Sequence, residues 1–299
     1  MKYCFVINAR EDKNHIQKHL QEQIDALPAF DYSLFHTTCP EDATRYVKEY
    51  CESHPDEATC FVACGGDGTI NEVVSGMVGY DNKSLAVMAY GSGNDFVKYY
   101  PDCDFCSLSD LLAGEVHKID VLKVNQYYSL NVCNFGFDAH VCSVANRLSA
   151  KGCKWPYRRG VLSALLHSMR NPIRVTADGE CLNRGKDILL CTLANCHYVG
   201  GEYFCAPHAK NDDGLIDLCL VHPISVFTFL KLLPYYTRGE HLDNPKFLKI
   251  LSYRQVKHVE LEAPAGMEIC LDGEMRQGSH FDIDLLEKVV PFIIPRRHV

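Results

Sequence analysis

Several absences narrow the field before any motif is read. No apolar run approaches the ~20 residues that a membrane-spanning helix needs. The opening MKYCFVINAR has one lysine and a five-residue apolar run. That run is too short for a signal-peptide core and is read as a first strand. There is no positive surplus: 30 Lys and Arg stand against 38 Asp and Glu, a net charge of -8, which excludes a general nucleic-acid binder. No repeat or low-complexity linker interrupts the chain, and 47% hydrophobic with 23% charged residues excludes collagen, coiled coil and disorder. Cysteine, by contrast, is plentiful, at 16 residues, many inside apolar runs such as LLCTLANC. Disulfide frameworks belong to small secreted domains, so a chain of 299 residues without an export signal is read as holding buried free thiols in a reducing cytosol. Cys103-x-x-Cys106 has no second pair to complete a zinc site and is read as a loop coincidence. His15 and His19, four residues apart, sit among Lys13, Gln17 and Lys18, the pattern of a solvated helix face.

The length favours two domains. The first part alternates strand and helix. YCFVI, YSLFHT, TCFVAC and LAVMAY read as strands. Between them lie Ile16, Leu20, Ile24 and Leu27, then Ala43, Tyr46, Val47 and Tyr50, at helical spacing, and a third helix from about Ile70 to Met77. That order predicts a Rossmann-like α/β domain with a parallel sheet over residues 1–118. After Gly114 strand-like runs dominate, from KIDVLKVN to MEICLDGE, with Asp-Gly and Asn turns. Residues 119–287 therefore read as a β-rich, sandwich-like domain with inserted helices near 139–170 and 224–238.

Two glycine-rich turns, Gly65-Gly66-Asp67-Gly68-Thr69 and Gly91-Ser92-Gly93-Asn94-Asp95, fall at the C-terminal ends of predicted parallel strands. Ligands gather there in such sheets. Glycines let backbone approach a phosphate, a helix N-terminus favours the anion, and Thr69 and Ser92 add hydroxyls. Asp67 would repel a phosphate directly, but fits if a divalent cation or its water stands between them. One such turn alone reads as a helix cap; two on neighbouring strands point to one shared nucleotide site.

In the second half, Asp212 and Asp213 in KNDDGL could hold a cation with loop carbonyls, against the plainer reading of a hairpin turn. Asp272 and Glu274 in LDGE, two apart, would share a face of an extended segment, and one could act as general base. Here too a hairpin turn is the plainer alternative. Asp120 lies between apolar residues, costly unless paired or near a metal. Between Asp138 and Asp178 there is no acidic residue but seven cations: Arg147, Lys151, Lys154, Arg158, Arg159, Arg170 and Arg174. With Trp155, Tyr157 and an apolar helical stripe, the stretch suits an anionic bilayer surface as well as it suits a basic solvated face.

Taken in order, GGDGTINEV, GSGNDF, NFGFDAHV, GGEYFCAPHAKNDDGLIDL and LDGE resemble the diacylglycerol kinase catalytic-domain family, in its soluble bacterial lipid-kinase branch. GGDGT is shared with NAD kinases, but their Thr-Gly-Ser-Thr-like run is missing. The resemblance implies an active site in the interdomain cleft and a C-terminal tail, 288–299, packing on the first domain. It implies transfer of the γ-phosphate of ATP to a lipid hydroxyl with Mg²⁺. Thr37, Gly65, Gly66, Asp67, Gly68, Thr69, Ile70, Asn71 and Glu72, together with Gly91, Ser92, Asn94 and Asp95, correspond to its nucleotide contacts. Glu274 corresponds to the general base with Asp272 beside it, and Asp67, Asp95 and Asp120 to the acidic network around the catalytic cation. Asp213, with the carbonyls of Lys210 and Leu215, corresponds to a structural Mg²⁺ site. The family's first strand commonly ends in an Asn-Pro turn, whereas here Asn8 is followed by Ala9 and Arg10, with Lys13 near. Diacylglycerol is the expected acceptor; a sphingoid base, an undecaprenol-like alcohol, or a silent nucleotide or membrane sensor are the alternatives. The expected partners are a membrane lipid and an anionic membrane surface, with no nucleic acid and a possible homodimer, and the expected location is the cytoplasm at the inner membrane face.

Overall fold

A computed structural model describes residues 1–8 and 16–297. The first-strand turn with Ala9, Arg10, Lys13 and His15 lies outside the described residues. The chain forms two units: Met1–Val121 with Glu287–Val299, and Leu122–Leu286.

The first unit runs β1 (Lys2–Ile7), α1 (Ile16–Asp25), β2 (Tyr32–His36), α2 (Asp42–Ser53), β3 (Thr59–Gly65), α3 (Asp67–Met77), β4 (Lys83–Ala89) and α4 (Leu108–Leu112), and enters β5 (Glu115–Val124). Every residue of β3 is buried, as expected of a strand covered on both faces. Strands β2, β1, β3 and β4 are neighbours in that order and all parallel. Helix α1 buries Ile16, Leu20 and Ile24, and α2 buries Ala43, Val47 and Cys51, each at four-residue spacing. The chain leaves β1 towards β2 on one side and reaches β3 on the other, so the topological switch point lies between β1 and β3. This is where open α/β sheets bind ligands.

The second unit contains β6 (Tyr127–Ser129), β7 (Val132–Gly136), α5 (Phe137–Ser149), α6 (Pro156–His167), β8 (Arg174–Ala177), β9 (Glu180–Cys181), β10 (Leu190–Ala194), β11 (Tyr198–Val199), β12 (Tyr203–Phe204), β13 (Ile216–Val221), α7 (Val226–Thr237), β14 (Leu251–Val256) and β15 (His258–Leu271). The last strand, β16 (Glu274–Ile294), begins here. Pairing is antiparallel from β15 through β7, β10 and β13 to β14. Their inner faces meet in one core that includes Phe135, Leu193, Leu218, Val259, Ile269 and Ile283. HVELEAP and MEICLDGE, read as separate runs, are one strand whose register shifts between Glu262 and Met267.

Strand β16 crosses the boundary between the units at Leu286/Glu287. Within the first unit its end pairs with β4 in parallel, Phe292 opposite Leu85. Phe292 is fully buried against Phe96, Tyr100 and Phe105. All 16 cysteines are free thiols, and Cys103 and Cys106 donate to different carbonyls, of Pro295 and Ala89. No described helix is long and apolar enough to cross a membrane.

Candidate active site

The two glycine turns of the first unit touch. A Cβ on Gly91 would lie 2.3 Å from the Cα of Gly66 and 2.9 Å from its nitrogen, so backbone packs on backbone and only glycine fits. Asn94 closes the second turn from a left-handed conformation (φ 51°), donating its amide to the Gly91 carbonyl at 2.8 Å. Asp67 joins the turns: one carboxylate oxygen accepts the N–H of Asp95 at 3.0 Å and the other that of Phe96 at 2.9 Å. Asp95, itself buried, accepts a 2.7 Å bond from Lys98.

Helix α3 starts directly at this junction. Gly66 is its N-cap in extended conformation, and no side chain caps it there. At the switch point, Asn8 at the end of β1 donates to the Thr69 hydroxyl at 3.1 Å. Gly65 is the last residue of β3 and Gly68 lies in the first turn of α3, where Ile70 and Asn71 are buried, and Ser92 is exposed at the tip of the second turn. Thr37 is buried just beyond β2, its N–H donating to the Ile7 carbonyl at 3.0 Å. These residues cluster at the C-terminal end of the parallel sheet.

Glu72, expected as a nucleotide contact, lies in α3 and is bound to the start of α2. Its two oxygens accept the N–H groups of Glu41 at 3.0 Å and Ala43 at 3.1 Å. It therefore caps α2, whose own N-cap residue, Glu41, makes no side-chain capping bond. Asp120 is fully buried on β5 and accepts the Lys288 N–H at 2.7 Å, so its burial is matched by a hydrogen bond from the last strand.

In the second unit Asp272 and Glu274 do not share the face of an extended segment. Asp272 (φ 49°) and Gly273 (φ 95°) form the two-residue turn between β15 and β16, and Leu271 pairs with Glu274 across it. The Asp272 carboxylate accepts the N–H groups of Leu130, Asn131 and Val132 at 2.8, 3.0 and 3.0 Å and the Ser129 hydroxyl at 2.7 Å. Such a carboxylate acts as an anchor. Glu274 projects from the anchored turn, half exposed, with Arg276 at 4.0 Å. The turn is held from the other side too, by Asn146 of α5 donating to the Gly273 carbonyl at 3.0 Å.

The KNDDGL turn closes on Gly214 (φ 74°), with an Asp213 oxygen accepting the Leu215 N–H at 3.1 Å. Asp217 is buried behind it, and its second oxygen has no hydrogen-bond partner. Burial first, and the Asp213 charge among the lesser causes, raise the Asp217 carboxyl above its ordinary range. An orphaned buried oxygen beside a second carboxylate, with the carbonyls of Lys210 and Leu215 in the same turn, is a hard-oxygen donor set that fits Mg²⁺.

One residue escaped the sequence reading. Asp138, in the first turn of α5, accepts the Tyr236 hydroxyl at 3.0 Å, and desolvation pushes its carboxyl up to about 6. Its only sequence signal was its place in NFGFDAHV.

Residues 2–124 match the family model described as diacylglycerol kinase catalytic domain, and residues 131–294 that described as YegS C-terminal NAD kinase beta sandwich-like domain. The chain belongs to the diacylglycerol kinase catalytic-domain family. It is 29% identical over 278 residues to the diacylglycerol kinase of Bacillus subtilis, covering 90% of this chain and 88% of that protein. To the lipid kinase YegS of Escherichia coli it is 28% identical over 268 residues, covering 85% and 83%. A solved diacylglycerol kinase structure from Bacillus anthracis superposes with a TM-score of 0.72 at 20% identity, over 98% of this chain and 96% of that one, which shows the fold. The family thus accounts for both units.

Proposed function

We propose that the protein transfers the γ-phosphate of ATP to a lipid hydroxyl, with diacylglycerol as acceptor and phosphatidic acid as product. The observation that carries this reading is the pair of touching glycine turns, braced by Asp67, at the uncapped start of α3. Backbone there approaches a phosphate chain closely, and the helix N-terminus favours its charge. Phosphoryl transfer needs positioning and charge neutralisation more than covalent help from the protein.

The roles follow. The glycine turns and Thr69 orient the phosphates. Glu274 accepts the proton of the acceptor hydroxyl as its oxygen bonds to the γ-phosphorus and the bond to the ADP oxygen breaks. Asp272 is a positioning residue, fixing the turn from which Glu274 projects. Mg²⁺, when bound, neutralises the phosphate charge; Asp67 and Asp95 are the residues that would hold it near the phosphates, and Asp213 with the Lys210 and Leu215 carbonyls would hold a structural ion.

The test is transfer of labelled γ-phosphate from Mg-ATP to mixed micelles offering diacylglycerol, monoacylglycerol, sphingosine or undecaprenol separately. Labelled phosphatidic acid is the expected product. Label on a different lipid would replace the acceptor and keep the chemistry. ATP binding without any lipid product would overturn the kinase reading.

A further inference from the structure

The second unit leaves large apolar side chains in water where a monomer in solution has no use for them. Helix α6 buries Gly160 and Ala164. On its opposite side Arg158, Leu162 and Leu166 follow at four-residue spacing, with Leu162 61% and Leu166 73% exposed. Helix α7 buries Phe229 and Leu232. Its other face carries Phe227, Leu230, Lys231 and Pro234, the i, i+3, i+4, i+7 pattern of one stripe, with Phe227 80% and Leu230 53% exposed. Both helices are seated on one hydrophobic cluster, which holds Ala164 as well as Phe229 and Leu232. Exposed Phe and Leu concentrated in this way mark an interaction site.

Charge says what the partner is. No acidic residue occurs from 139 to 177 or from 218 to 239, so neither helix carries one, in a chain of net charge -8. Lys154, Arg158 and Arg159 make no ion pair among the described residues, unlike Arg170, Arg174 and Arg238, which do. Trp155 is 65% exposed, with the Arg158 guanidinium 4.7 Å above its ring. Indole rings favour the boundary between headgroups and acyl chains, and unpaired cations favour anionic headgroups. A second copy is a poor fit, because an isologous contact would set these cations against themselves.

We propose that the exposed faces of α6 and α7 insert into an anionic lipid bilayer, Leu162, Leu166, Phe227 and Leu230 entering the acyl boundary and Lys154, Arg158 and Arg159 meeting the headgroups. The inference deepens the lipid-kinase reading by naming the surface that brings the enzyme to its substrate, and its test does not depend on that reading.

Trp155 is the chain's single tryptophan, so its fluorescence reports on this face without a label. The full chain is mixed with phosphatidylglycerol vesicles and, separately, phosphatidylcholine vesicles, with neither diacylglycerol nor nucleotide present. The expected result is a blue shift with phosphatidylglycerol and quenching by acyl-brominated lipid. Phe227→Gln with Leu230→Gln should weaken vesicle binding at least tenfold, as should reversal of Lys154, Arg158 and Arg159 to Glu. Both variants should still phosphorylate a water-dispersed short-chain diacylglycerol at the rate of the unaltered protein. An unshifted Trp155 spectrum, or binding unchanged in both variants, would overturn the proposal. So would sedimentation showing a dimer that Phe227→Gln/Leu230→Gln converts to monomer, which would assign the face to a second copy. Vesicle binding with no phosphorylation of any lipid would sink the kinase reading and leave the docking face standing.

Discussion

Asp272 and Glu274 are two residues apart and do different work. The first is saturated by three N–H groups and a hydroxyl; the second is half exposed with one loose cation nearby. A base must be reachable and have acceptor capacity to spare, so of the two only Glu274 suits the proposed proton-accepting role. Glu274→Gln keeps the shape and removes the basicity. It should cost turnover by a factor of roughly 10²–10⁴ while ATP affinity stays unchanged, as read by steady-state kinetics and calorimetry. Full turnover in that variant would remove Glu274 from the mechanism.

Asp138 supports a prediction about pH. Burial raises its affinity for a proton in the folded chain, from 3.8 to about 6. Below pH ~4 the carboxyl is neutral in both folded and unfolded states, and its stability contribution is fully present. As pH rises from ~4 through ~6 the unfolded state ionises first and that contribution is lost. Asp138→Asn cannot ionise and can still accept from Tyr236. The variant should therefore gain on the unaltered protein across that window, by up to about 3 kcal/mol at pH 7. Melting temperatures measured at several pH values check it; parallel curves would show that Asp138 does not titrate there.

Among the elements, the contact between the glycine turns decides the most. The Gly91 φ is not in the left-handed region, so a side chain there costs nothing in backbone strain. Its cost is steric, because a Cβ would sit 2.3 Å from the Gly66 Cα and backbone cannot step aside. Gly91→Ala should lose about 1–3 kcal/mol of stability, and nucleotide affinity should fall with it, both measurable by thermal melting with and without ATP. Unchanged ATP binding would show that the turns need not touch.

The sequence was most informative at this scale. Unbroken apolar runs marked β1, β3 and β4, and the glycines marked the ends of β3 and β4. The exits are less local. Glu72 follows the glycine turn closely, and its partners Glu41 and Ala43 come from the start of the preceding helix, a pairing no local pattern encodes. Asp272 and Glu274 would share a face if period two ran through LDGE, but there Asp-Gly reverses the chain, as the hairpin alternative has it. The one strand β15 looked like two because its register slips around Ala263–Gly266, where alternation fails.

For the whole molecule, the informative fact is that the first unit is built from two stretches of chain separated by the whole of the second unit. Residues Glu287–Val299 supply the strand beside β4, the buried Phe292 and the N–H that meets Asp120. Ending the chain at Leu286 should leave the first unit unable to fold. Limited proteolysis should then degrade residues 1–121 while sparing a fragment near 122–286, whereas equal resistance of both would show the first unit to be self-sufficient.

The same strand sets a timetable during synthesis. The ribosome delivers all of β1 to β4 first, and the piece that completes their sheet, from Glu287 on, follows only after the whole of the second unit. The unit begun first is thus finished last, and the later-made unit can close before it. Until Glu287–Ile294 emerge, the edge of β4 and the rings of Phe96, Tyr100 and Phe105 that Phe292 covers stand open to solvent, a window in which a chaperone has something to hold.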